Sequence, residues 1–204
     1  MNLSAESIQQ SLIPTQPGKT APPLTNQPDR VHPAAVLMPL FKENQLWHLL
    51  FIKRAVHKSD RHSGQIAFPG GRSERGDSSL LDTALREAEE EIGLLPGDAA
   101  VLGRLPSRDT VTDYRVTPFV GVVPWPYPWC LSPLEVDEII PLSLDWLRNP
   151  ENFEIKEWTS DPEKYPPHRV VFYQRIGEEI LWGATARMVL DFLETVGLRE
   201  GGKN

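Results

Sequence analysis

Cysteine is almost missing from this 204-residue chain, with Cys130 the single instance. A lone cysteine excludes an internal disulfide framework. Cys130 stands in an aromatic loop with no base beside it, so it reads as a buried or inert thiol rather than a nucleophile. Long apolar runs are missing too: none approaches the ~20 residues that a bilayer-spanning helix needs. The N-terminus has neither the charged start nor the apolar core of a secretory signal. Together these absences predict a protein of the reducing cytoplasm that does not enter a membrane. Positive charge is in deficit, 21 Lys and Arg against 28 Asp and Glu, for a net charge of −7. That balance excludes a general nucleic-acid binder, which presents a basic surface. No internal repeat divides the chain, and a hydrophobic content of 40% suffices for one core.

What the chain has in excess is acid in one place. Arg86-Glu87-Ala88-Glu89-Glu90-Glu91-Ile92-Gly93-Leu94 packs four glutamates into five positions. The periodicity predicts a helix on which Glu87, Glu90 and Glu91 share a face, because positions i, i+3 and i+4 are neighbours. A glutamate cluster on a helix is ordinarily a solvated face. Two features argue otherwise. The acids lie toward the C-terminal end, where the helix dipole disfavours negative charge. The opposite face, Leu81, Ala84, Leu85, Ala88 and Ile92, is apolar at helical spacing and reads as core. Carboxylates so crowded repel each other and resist ionising. A divalent cation removes that penalty, and hard oxygen ligands suit Mg²⁺ or Mn²⁺. Bound cations also reconcile an acidic chain with a phosphate-bearing substrate.

The segment in front, Gly64-Gln65-Ile66-Ala67-Phe68-Pro69-Gly70-Gly71, reads as a short strand running into a tight turn. Glycines there let the backbone approach a ligand closely. Asp77 or a following serine is placed to cap the helix, and Gly93 supplies its left-handed stop. An ordinary strand-loop-helix joint accounts for the glycines but not for the acidic face that follows them. Lys53, Arg54, Lys58, Arg61, Arg72 and Arg75 all precede the acidic helix.

Residues 70 to 94 resemble the Nudix box, the signature of the Nudix hydrolase superfamily: a glycine, then a helix bearing Arg-Glu-aliphatic-any-Glu-Glu-any-Gly-aliphatic. Residues 86 to 94 match that second half throughout. The first half departs from the pattern, with Asp77 in place of glutamate and one extra residue between Gly71 and Arg86. Leu49 to Ala55, His62 to Gly71, Val116 to Val120, Glu135 to Glu138 and Trp182 to Arg187 are similar to segments of the coenzyme A pyrophosphatase-like subgroup. The resemblance implies an α/β/α sandwich and metal-assisted hydrolysis of a phosphoanhydride. Glu87, Glu90 and Glu91 would hold Mg²⁺ or Mn²⁺, joined by the Gly70 carbonyl. The general base would be Glu87, Glu90 or a loop carboxylate, with Glu135 ahead of Glu138. Arg54, Arg61, Gly71 and Arg72 would meet the phosphates, and Arg86 would orient the neighbouring carboxylates. The subgroup implies a small-molecule nucleotide diphosphate substrate, coenzyme A or an acyl derivative. ADP-ribose or another dinucleotide is the alternative, and a ligand-binding module without catalysis the third reading.

The rest of the chain predicts an α/β fold, a mixed sheet between helices. Residues 1 to 31 hold five prolines among polar residues and read as a flexible lead, with a short helix over Ala5 to Leu12. The domain proper would span 32 to 198, and 199 to 204 would be a loose tail. Strands are expected over Ala34 to Phe41 and Leu46 to Arg54, over Ala100 to Leu105 and over Val116 to Val123. Leu142 to Leu147 reads as a short helix, Arg169 to Arg175 and Glu179 to Trp182 as a hairpin, and Thr185 to Val196 as an amphipathic helix. Trp125-Pro126-Tyr127-Pro128-Trp129 cannot continue a central strand and reads as a stiffened surface loop, or else as an aromatic lid. Apolar residues scattered through 119 to 147 suit a homodimer interface equally well.

Overall fold

The apolar run from Ala34 to Phe41 is unbroken because the strand that carries it is covered on both sides. In the computed structural model, which describes residues 3–15, 31–56, 64–159 and 167–200, this strand is β1, His32–Glu43. Val36, Met38 and Leu40 enter one core cluster, and Ala35, Leu37 and Phe41 enter another. β1 turns at Asn44 and Gln45, both at positive φ, into antiparallel β2, Leu46–Arg54. That two-residue turn matches the twist of a tight hairpin.

The remaining strands assemble around this pair. β3 (Ile66–Ala67) adds to β2, and β4 (Gly70–Arg72) adds to β1. After helix α2, Leu80–Ile92, come β5 (Ala100–Arg104), β6 (Arg108–Asp109) and β7 (Tyr114–Val122). β7 lies parallel to β1, whereas β5 and β6 pair antiparallel with β7. β8, Val136–Ser143, flanks β2 and completes a mixed eight-stranded sheet. A separate antiparallel sheet contains β9 (Phe153–Trp158), β10 (His168–Ile176) and β11 (Glu179–Trp182).

Helix α2 lies on one face of the large sheet through Ala84, Ala88 and Ile92. The other face is covered by α1 (Ala5–Ser11), α3 (Leu144–Arg148) and α4 (Gly183–Thr195), which supply Ile8, Leu147, Val189 and Phe192. The result is the expected α/β/α sandwich. β8 and β9 were not anticipated: Asp137, Glu138 and Pro141 make β8 read as loop, a composition that strands at a sheet edge tolerate.

Within the proline-bearing lead, residues 3–15 hold the short helix expected over Ala5 to Leu12, and it docks on the domain. Ser4 and Ser7 form a capping box, Ile8 is fully buried, and Trp47 Nε1 donates to the Leu3 carbonyl at 2.8 Å. Ile13 bridges to Arg104, and a Cβ on Gly103 would lie 2.6 Å from Leu12 Cβ, so the glycine allows this close docking. Prolines mark the lead as polar linker, but the apolar spacing of Ile8 and Leu12 outweighs them locally. Arg199 is also held, paired with Glu194 and lying over the Phe153 ring. Residues 16–30 and 201–204 lie outside the described residues. Among the described residues, no helix is long and apolar enough to cross a membrane.

Candidate active site

Ser79 caps α2 by accepting from the Asp82 N–H at 3.2 Å, and Gly93 ends the helix at φ 71°. Glu91 follows Ala84 and Ala88 on the helix flank that meets the sheet, and it is drawn inward to 3% exposure. The Gly70 N–H donates to Glu91 Oε2 at 2.9 Å, and Arg54 Nη1 lies 3.8 Å from Oε1. Burial dominates the Glu91 carboxyl and pushes its pKa up to about 8; the Gly70 bond and Arg54 oppose this, while Glu87 and Glu135 add to it.

Glu87 is half-buried one turn earlier, and burial raises it as well. A Cβ on Gly71 would stand 2.6 Å from the Glu87 carboxyl, so glycine is what lets β4 and α2 approach here. Glu135 arrives on a strap clipped to the end of the same helix. Cys130 N–H donates to the Ile92 carbonyl at 3.1 Å, Ser132 N–H to the Glu91 carbonyl at 2.9 Å, and Ala55 N–H to the Glu135 carbonyl at 2.9 Å. The Glu135 charge raises the pKa of both Glu87 and Glu91, which places the three acids in one electrostatic neighbourhood.

Arg86 is the local counter-ion. Its Nε and Nη2 reach the two Asp77 oxygens at 2.9 and 3.2 Å, and Nη1 meets Glu87 at 3.0 Å and Glu90 at 2.9 Å. Burial alone would push Asp77 upward. Bonds from Arg86, the Glu74 N–H and the Thr83 hydroxyl outweigh it and hold the carboxyl below its ordinary range. Asp77 in turn is the largest influence holding Arg86 protonated.

This is the joint that the acidic pattern implied: a glycine turn laid against a helix whose acids are partly buried and organised by one arginine. The sequence pattern of the NUDIX domain matches residues 31–174. The chain belongs to the Nudix family. It is an enzyme, a Nudix hydrolase acting on pyrophosphate bonds of nucleotide-linked compounds. Proteins of Salmonella paratyphi B and Salmonella newport named uncharacterized Nudix hydrolase NudL are 34% identical over 190 residues, covering 87% of this chain and 90% of theirs. A MutT/nudix family protein from Enterococcus faecalis superposes with a TM-score of 0.55 at 15% identity, covering 82% of this chain and 62% of that one, a likeness of fold alone.

The three acids named on the Nudix helix differ in exposure. Glu91 is buried, Glu87 half-buried and Glu90 exposed, so the three do not share one environment. Among the described residues, no group of three acidic, histidine or cysteine side chains is close enough to form a ready cation cage. Arg86 Nη1 bridges Glu87 and Glu90, whereas Glu91 turns inward to Gly70. At Gly70 the bond to the helix runs through the N–H. Glu138 sits beside Lys53 and Glu179 in a cleft of about 320 Å³, away from α2. Arg72 ends β4 with its carbonyl accepting from Arg86 at 3.3 Å. Arg61 lies outside the described residues. Cys130 is exposed, not buried. Trp125 stacks on Phe41 at 4.1 Å and donates to Glu43, and Tyr127 donates to Asp98, so the aromatic stretch packs along the core as a surface loop. Asp77 is the residue whose part was missed. Its signal was present: it holds the motif's glutamate position, nine residues before Arg86.

Proposed function

We propose that this hydrolase splits the diphosphate of coenzyme A or an acyl-coenzyme A, giving 3′,5′-ADP and the (acyl-)4′-phosphopantetheine, in the cytoplasm. The observation that carries the chemistry is Glu91, a buried carboxyl that accepts from the Gly70 N–H at 2.9 Å, one turn after half-buried Glu87. An all-oxygen, acid-rich donor set whose charge is costly without a cation suits Mg²⁺ or Mn²⁺. Glu87, Glu90 and Glu91 would hold the ion, with the Gly70 backbone alongside. When bound, such an ion neutralises diphosphate oxygens and lowers the pKa of a water.

The chain's own residues do the rest. Glu135, exposed on its strap, takes the proton of the attacking water. Arg54 faces the phosphate oxygens from the α2 side, Arg72 reaches them from the rim of the other sheet face, and Gly71 keeps the approach to Glu87 open. Arg86, fixed by Asp77, orients Glu87 and Glu90. Water adds to one phosphorus, the P–O–P bridge breaks, and the bridging oxygen leaves with the other phosphate.

Coenzyme A is favoured by the subgroup-like segments around residues 49–71, 116–120, 135–138 and 182–187. The test is incubation with Mg²⁺ and a panel of coenzyme A, acyl-coenzyme A, ADP-ribose and dinucleoside diphosphates, with products separated by chromatography. Coenzyme A cleaved fastest is the expected outcome. Rapid cleavage of ADP-ribose with coenzyme A left intact would overturn it.

A further inference from the structure

The sheet rim beside the glycine turn is cationic on the face turned toward α4. Arg72, Ala34, Val116 and Arg108 fall in one row across β4, β1, β7 and β6. Row neighbours direct their side chains to one face, and three interstrand steps place the ends of the row about 14 Å apart. The face is fixed from both ends. A Cβ on Gly71 would strike Glu87 on the α2 side, so Arg72, next in the strand, points the other way. Arg108 donates through Nε and Nη2 to Asp191 of α4, which covers that other side. Arg187, one turn before Asp191, donates to the same carboxylate at 3.0 Å.

Two guanidinium groups therefore share one carboxylate, with Arg72 further along the same row, in a chain whose net charge is −7. Each guanidinium carries five donors. Asp191 engages two on Arg108 and one on Arg187, which leaves donors for an incoming anion. One pleat further out on the same face, His32 and Tyr114 are register partners with ring centroids 5.8 Å apart. Guanidinium forks grip phosphate monoesters, and flat rings offer stacking surfaces to bases.

We propose that this rim is the subsite for the adenosine 3′-phosphate half of the substrate. Arg108 and Arg187 grip the ribose phosphate, Arg72 stands between it and the scissile diphosphate, and Tyr114 with His32 faces the base. Asp191 is a positioning residue that keeps the two guanidiniums together. The assignment rests on the coenzyme A reading and deepens it by naming what distinguishes the 3′-phosphorylated substrate from its unphosphorylated form.

The test compares kcat/KM for coenzyme A with that for 3′-dephospho-coenzyme A. Calorimetric titration with adenosine 3′,5′-bisphosphate and with AMP, in protein without added metal, gives a readout independent of turnover. The preference for the 3′-phosphorylated compound should fall about tenfold to a hundredfold in Arg108→Gln and in Arg187→Gln, in both assays. Arg108→Lys should recover part of it. Arg115→Gln, which removes the partner of Asp109 at the same rim, should leave the preference as in the wild type. If the wild type binds the bisphosphate and AMP equally, or the variants keep the full preference, the rim assignment is wrong. If the wild type cleaves no coenzyme A, the proposed substrate falls, and the titration still decides the rim.

Discussion

Replacing Glu91 by Gln should stabilise the protein in chelator while abolishing Mg²⁺-dependent turnover. The carboxyl moves from an ordinary 4.5 to about 8 in the folded state. Between those values the folded chain keeps a proton that the unfolded chain has shed, so folding stability falls as pH rises through the window. Each pH step costs up to about 1.4 kcal/mol, which brings the loss to about 3 kcal/mol by neutral pH. For a domain of this size that corresponds to roughly 6–12 °C in Tm. Gln carries no such charge, and its Oε1 can still accept from the Gly70 N–H. Thermal unfolding of both proteins in EDTA from pH 5 to pH 8 measures the effect. The Tm advantage of the variant should be small at the acid end, where the penalty is under about 1 kcal/mol, and widen steadily. A difference that stays flat across the series would refute the reasoning, because packing changes do not titrate. Adding saturating Mg²⁺ should raise the wild-type Tm by mass action and leave the variant where it was.

Gly71→Ala meets only the mobile end of Glu87, so it should lower kcat about tenfold to a hundredfold with little change in Tm, measured by steady-state kinetics beside a melt. Gly70→Ala should instead cost folding stability, about 2–4 kcal/mol in denaturant titration, because φ is 151° and the new Cβ lies 2.4 Å from the Ala35 carbonyl oxygen. Asp77→Asn should reduce kcat/KM by loosening Arg86. The Asp77 pKa is depressed on folding, so its stabilisation holds above the ordinary carboxyl range and fades in acid; urea titrations at neutral pH and near pH 3 should show the wild-type advantage shrinking. Ile8→Ala should destabilise by about 2–5 kcal/mol in the same assay, a cost no loose lead would carry.

Much of the catalytic joint was legible in the residues because it is local. The helix from Leu80 to Ile92, its Gly93 stop and the Ala84-Ala88-Ile92 stripe follow from spacing over a few turns. The separation of Glu91 from Glu90 was harder to foresee, since adjacent acids look alike until the sheet decides which flank is covered. Spacing offers Asp77 or a following serine as cap, and Ser79 takes that place; the bonds of Asp77 to Arg86 and Thr83 depend on the path of the intervening loop. Glu135 and Arg108 are placed by tertiary register: one through a strap, the other through pairing with β7. Such placements leave no periodic trace. Residues 3–15 fold back for a comparable reason, as Leu12 is recognisable as core only once Gly103 is beside it.

The backbone around the acids closes into a circuit. From Gly70 it passes to the Glu91 side chain, from the Glu91 carbonyl to Ser132, from Ser132 to Glu135, and from Glu135 to Ala55 beside β2. A chain of clasps joined back to its own scaffold has no loose end about which to swing. The distance between the buried acid and the proposed proton acceptor is therefore a shared property of every clasp, and weakening any one of them lets that distance drift.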